Sequence, residues 1–288
     1  MRMRFGVIAE CVLARSRETI MRRSADQRGF TIVELMIGLL AASILTYSAL
    51  SLYSTQHKQL LLQDEIADMQ DNLRASAEMI AKTIRVAGYN VPKRTAIETH
   101  DSNPDTIVVN FDSATLQNIE LSEDMPMPSS ELKCVGSDLS GLSDGDWVYI
   151  YDPDADIGEF LLVTAVQDSD HIQHNTMPLS RLYPAGSRII RMNRIRFYVD
   201  SEDSSHPNLM IQTYGSPPVV FAENIVSMDF RYYMVNGSIV TQTSEPEKIR
   251  LVEIDIEGRT ASPDPEFFNQ YRTRHFTLRV NVRNLAIG

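Results

Sequence analysis

The chain has 288 residues, 43% hydrophobic and 23% charged, a composition that excludes wholesale disorder, a collagen-like repeat and a polytopic membrane protein. Its formal charge of −11 at pH 7 offers no basic footprint for nucleic acid. The charge is uneven. Residues 1–29 hold seven Arg against three acids, whereas residues 30–288 hold 20 basic and 35 acidic side chains. A basic head before an acidic body marks a targeting segment. Cys11 lies in that head and Cys134 stands alone in the body, so a body without its head has no internal disulfide and must be held by core packing.

Phe30 to Tyr53, FTIVELMIGLLAASILTYSALSLY, is a 24-residue apolar run with one charge, Glu34. As a helix it spans roughly 36 Å, enough for a bilayer core. Arg22, Arg23 and Arg28 precede it and no comparable basic cluster follows. The charge bias therefore predicts a cytoplasmic N-terminus and a body outside the membrane. The run is too long for an ordinary secretory signal. A plain anchor leaves Glu34 unexplained, because a carboxylate in a spanning helix is costly and usually has a partner.

Beyond the apolar run, Leu62, Ile66, Met69, Leu73, Ala77, Ile80 and Ile84 recur at helical spacing, one apolar stripe on an amphipathic helix. No proline interrupts residues 30–91, and Gly88 followed by Pro92 supplies a stop. The predicted helix, Thr31 to Val86, is roughly 84 Å long. Residues 30–53 are its all-round apolar half and 54–88 its amphipathic half.

The remainder reads as strands. Ile107–Phe111, Asp146–Tyr151 and Phe160–Val166 are β-branched and aromatic runs. After residue 193 four runs alternate apolar and polar residues: Ile195–Val199, Val226–Tyr232, Val252–Ile256 and Phe276–Val282. They predict one antiparallel sheet over 191–288, with one face covered by the second half of the helix. Residues 93–190 read as a β-rich insertion, and 200–206 and 262–265 as exposed loops. The fold class expected is α+β.

No HExxH, phosphate loop or GxGxxG is present, and no catalytic constellation suggests an enzyme. Asp168, Asp170, His171 and His174 read as a polar turn between strands rather than a metal cluster, for want of a third convergent ligand. Asp152, Asp154 and Asp156 imitate the first half of a calcium loop, but Ile157 stands where the loop needs Gly and Val163 where it needs Glu. A solvated hairpin turn is the expectation there, with calcium as the alternative and no other cofactor implied.

Arg28-Gly29-Phe30-Thr31-Ile32-Val33-Glu34-Leu35 resembles the processing site of type IV pilins and type II secretion pseudopilins. The resemblance implies cleavage after Gly29 by a prepilin peptidase, N-methylation of Phe30 and an assembly contact through Glu34. Residues 1–29 are then a leader; the stretch before Met21 is longer than the family's usual leader, and a start at Met21 would give the leader MRRSADQRG. Unlike many major pilins, the chain has Gly38 but no proline in the apolar half. Ile84-Arg-Val-Ala-Gly-Tyr89, Asn224-Ile-Val-Ser-Met-Asp-Phe-Arg-Tyr-Tyr233 and Arg272-Thr-Arg-His-Phe-Thr-Leu-Arg-Val-Asn-Val-Arg-Asn-Leu285 resemble PilW-type minor pilins. The partners implied are other pilins, the prepilin peptidase, the inner membrane and the pilus assembly platform. Two alternatives stand beside this reading: a J-type pseudopilin of a type II secretion system, and an unprocessed single-pass binding module.

Overall fold

The computed structural model describes residues 29–112, 119–175 and 178–285. One helix, α1 (Ile32–Val86), opens the described chain. Its N-terminal part is apolar on every side, long enough to cross a membrane and buried nowhere within the protein. The hydroxyls of Ser43, Ser48 and Thr55 donate to the carbonyls of Leu39, Ile44 and Ser51, one turn back. These three hydroxyls thus satisfy themselves inside the helix, which suits a low-dielectric surrounding. A compact unit begins at Gln59, within the helix, and extends to the end of the chain.

In that second unit the periodic stripe performs as its spacing predicts. Met69, Leu73, Ala77, Ile80 and Ile84 are all buried, while Asp68, Asp71, Arg74, Glu78 and Lys82 face solvent. Helical hydrogen bonding ends at Val86. Gly88 follows with φ +75°, the left-handed conformation that closes helices most cheaply with glycine. A side chain there would also press on Leu285, 3.0 Å away.

Two sheets receive the helix. The first contains β1 (Ile97–His100), β2 (Thr106–Asp112), β10 (Met192–Asp200), β11 (Asn208–Thr213) and β12 (Val219–Glu223), paired in that spatial order. The second has the order β14-β13-β15-β16, from β13 (Ile225–Met234), β14 (Ile239–Val240), β15 (Ile249–Arg259) and β16 (Thr273–Asn281). Every pairing in both is antiparallel. Leu73, Ala77 and Ile80 share one core with Ile107 and Phe197 of the first sheet and with Phe230 and Ile254 of the second. Helix and sheet approach closely at Gly258, where a Cβ would stand 3.1 Å from Leu73 Cγ.

Between β2 and β10 lie two smaller sheets. One has the order β3-β9-β5-β6, from β3 (Ile119–Glu120), β5 (Trp147–Asp152), β6 (Ile157–Leu162) and β9 (Arg188–Ile190). The other has the order β4-β8-β7, from β4 (Leu132–Lys133), β7 (Ala165–Gln167) and β8 (His171–Gln173). They enclose their own core around Leu132, Cys134, Ile150, Leu161, Ile172 and Tyr183. An aromatic seam joins them to the first sheet. Phe160 stacks on Tyr214 at 4.3 Å between ring centroids, and Trp147 meets Tyr214 edge-on at 4.8 Å.

The α+β expectation holds, with three differences in detail. Residues 97–112 lie outside the small-sheet region: β2 pairs with β10 from Met192 to Phe197, and Ile97, Ile107 and Val109 join the helix core. The four late alternating runs do not form one sheet, since β10 belongs to the first sheet and β13, β15 and β16 to the second. The predicted strand Phe160–Val166 breaks at Val163, whose N–H donates to Asp146 O, while Thr164 N–H donates to Gln173 O. The chain crosses there from one small sheet to the other. In β13 the register shifts between Ile225 and Ser227, which buries Ile225 completely and leaves Val226 only partly covered. A bulge of this kind moves a residue off the alternating pattern.

Candidate functional site

At the head of α1 the segment Gly29–Leu35 adopts a defined arrangement. Thr31 is the residue before the first helical turn, and its Oγ1 accepts the N–H of Glu34 at 3.2 Å. Glu34 Oε2 in turn accepts the N–H of Thr31 at 3.0 Å and its hydroxyl at 3.1 Å. This is a reciprocal capping box, Thr-x-x-Glu, which satisfies helix-end N–H groups that have no partner in the helix. The carboxylate also sits at the positive end of the helix dipole. Thr31 is the functional residue that the apolar pattern alone does not single out; the Thr-Ile-Val-Glu spacing is the signal that finds it.

Phe30 stands immediately before the box and is 86% exposed. A Cβ built on Gly29 meets nothing within 4 Å among the described residues, so packing against them does not call for glycine there. Arg22, Arg23, Arg28, Cys11 and the rest of the expected leader lie outside the described residues.

The acidic hairpin is a turn in which the Asp152 and Asp156 carboxylates are already engaged. Asp152 and Ile157 face each other across β5 and β6. Asp152 is buried; its Oδ1 accepts the N–H groups of Asp154 and Ala155, and its Oδ2 lies 3.3 Å from Arg181. Asp156 accepts the Tyr151 hydroxyl at 2.7 Å and lies 3.7 Å from Arg94, while Asp154 is exposed. These carboxylates point to separate partners rather than to one centre. The expected polar turn is confined to residues 168–170, which connect β7 and β8; His171 opens β8 and His174 follows it. His171 pairs with Asp170 at 2.5 Å, and buried His174 meets the Ser130 carbonyl at 2.7 Å. Among the described residues no three His, Cys, Asp or Glu side chains converge as metal ligands would.

No protein-family model and no curated protein matches this chain.

Elsewhere two further buried carboxylates, Glu253 and Asp264, are paired with arginines. Glu253 lies between Arg279, 2.6 Å away, and Arg231, 3.2 Å away, and also accepts the Tyr233 hydroxyl. The Arg279 hydrogen bond holds its carboxyl below the usual carboxylate range despite burial. Asp264 accepts Arg272 Nε at 2.7 Å and the Glu266 N–H at 2.8 Å, and the arginine likewise lowers its pKa. The loop around 262–265 is therefore anchored through a buried aspartate rather than free in solvent. These pairs fasten β13, β15, β16 and the loop before β16. We assign them to structure.

Proposed function

We propose that the chain is a PilW-type minor pilin, a structural and assembly subunit of a type IV pilus with no catalytic role. The observation that carries this reading is the Arg28-Gly29-Phe30-Thr31 junction and Glu34 at the head of a helix that is apolar all round at first and one-sidedly apolar later. Each part of that junction fits processing at a membrane face. Among the described residues packing gives Gly29 no reason to be glycine, and a peptidase that reads an extended segment has little room for a side chain beside the bond it cuts. Phe30 then becomes the N-methylated mature terminus. The span inserts with the N-terminus in the cytoplasm and the body outside, following the basic residues before it.

In an assembled filament the apolar half of α1 packs among the helices of other pilins, and the body's acidic surface remains solvated. Glu34 then meets the Phe30 amine of a neighbouring subunit, because an ion pair in a low-dielectric bundle fixes axial register. The prepilin peptidase, the inner membrane and the assembly platform are the further partners of this reading.

The deciding experiment is an intact-mass measurement on protein extracted from membranes of cells that make pili. The expected species begins at Phe30 and carries one added methyl group. Gly29→Asp is expected to abolish that species and leave the longer chain. A native chain that retains residues 21–29 would refute the pilin reading and favour an unprocessed membrane-anchored module.

A further inference from the structure

We infer that the outer edge of β12, with the groove beside it, docks an extended segment of a partner polypeptide that alternates apolar and basic side chains. β12 is the last strand of its sheet and pairs with β11 alone among the described strands. Its sequence is Val219-Val-Phe-Ala-Glu223. Val219 is 55% exposed and Val220 51%. Successive residues of a strand point to opposite faces, so exposure of both leaves this end of the strand uncovered on both sides.

The other edges are protected in the ways that proteins ordinarily use against stray pairing. β14, β3 and β4 are two residues long, and β1 and β7 are scarcely longer. β16 is long but carries Arg274, His275 and Arg279, all exposed. Along β6, the Glu159 side chain accepts the Ser180 N–H at 2.9 Å, and Phe160 is covered by Tyr149 and Tyr214. β12 has no lysine or arginine, and its only charge is Glu223 at the far end. There Asn72 of α1 donates to the Glu223 carbonyl at 3.4 Å. That contact closes one end of the edge and leaves Val219–Ala222 for pairing.

The groove alongside has a volume of about 570 Å³. One wall is Val220, Phe221 and Ala222; the other is the α1 face bearing Asp68, Asp71 and Glu65, the last of which accepts the Ser262 N–H at 3.1 Å. Arg259 also lines the groove, but its guanidinium is turned to the Ser204 and Ser205 carbonyls, which leaves Asp68 and Asp71 to set the charge. An incoming strand gains main-chain hydrogen bonds from β12, and its alternate side chains meet an apolar wall on one face and carboxylates on the other. Charge complementarity therefore selects Lys or Arg at the alternate positions. The inference does not depend on the pilin reading.

The test uses the full chain in detergent micelles and two fluorescent ten-residue probe peptides, one alternating valine with lysine and one alternating valine with glutamate. Empty micelles supply the blank. The valine–lysine peptide is expected to bind saturably and to slow hydrogen exchange at the Val219–Glu223 amides. Val219→Lys/Val220→Lys is expected to weaken it at least tenfold, and Asp68→Asn/Asp71→Asn severalfold. All four positions are exposed, so the variants should keep the wild-type melting temperature. The inference is overturned if both peptides bind equally, if neither binds, or if the variants bind like wild type. Dimerisation of the protein alone that is lost in Val219→Lys/Val220→Lys would assign the edge to a second copy and overturn it as well.

Discussion

Thr31 and Glu34 cap each other. The Thr31 side chain accepts the Glu34 N–H, and the Glu34 carboxylate accepts both the N–H and the hydroxyl of Thr31. The lone charge of the apolar run thus has a partner within its own first turn, one residue after the proposed mature terminus. Local capping and intermolecular pairing can be separated, because a glutamine keeps the hydrogen-bond acceptor of a capping box and loses the charge.

If Glu34 meets a neighbour's amine, Glu34→Gln and Glu34→Ala should both reduce recovery of the protein in sheared pili at equal membrane levels. Cleavage after Gly29 should persist in each. If capping is its whole contribution, Glu34→Gln should be incorporated like wild type and Thr31→Ala should match Glu34→Ala. Loss of the cap alone costs about 1 kcal/mol, a small part of what tertiary or membrane packing supplies to a helix of this length.

Leu73 is 2% exposed and lies against Gly258 of β15. Leu73→Ala should cost about 2–5 kcal/mol and lower the melting temperature of the body on the order of 10 °C. Gly258→Ala crowds the leucine that the first substitution removes. The double variant should therefore be more stable than the sum of the two single losses predicts, and a thermal-unfolding double-mutant cycle measures that coupling.

Acid should loosen the second sheet. Glu253 and Asp264 are held below their ordinary values of 4.5 and 3.8, first by Arg279 and Arg272 respectively. A carboxylate whose pKa is lower when folded than unfolded contributes stability above its unfolded value and loses it as pH falls through the folded one. Melting temperature should therefore be flat through neutral pH and fall as pH drops below about 4.5. Glu253→Gln should lower the neutral-pH plateau and flatten the acid slope, and thermal melts across that range would show both.

Cys134 is fully buried, and burial, with Asp170 nearby, pushes its thiol up to about 12. The nucleophile is the thiolate, which is then scarce at neutral pH. Iodoacetamide at about pH 8 should leave Cys134 unmodified in the native protein and alkylate it fully in denaturant, as read by peptide mass mapping. Rapid native modification would mean that the small-sheet core opens readily.

What the sequence determines by itself is local. The uninterrupted apolar run, the stripe from Met69 to Ile84 and the stop at Gly88 follow from spacing, because a helix repeats every few residues and its contacts need only one element to be read. The alternation in β10, β13, β15 and β16 is legible for the same reason. The Thr31–Glu34 box is four residues long and lies in plain view. Only the tertiary structure decides which strands share a sheet. β2 finds β10 some 80 residues later, and Ile97 and Val109 belong to the helix core because that pairing brings them there. Burial of Glu253 depends on arginines from two other strands, Arg231 of β13 and Arg279 of β16. The bareness of β12 is likewise a relation between elements: five residues look unremarkable in a string until the fold leaves them at an edge that no other strand covers. Hydrophobic periodicity records what each element must bury; loop-closing, non-local pairing determines against what.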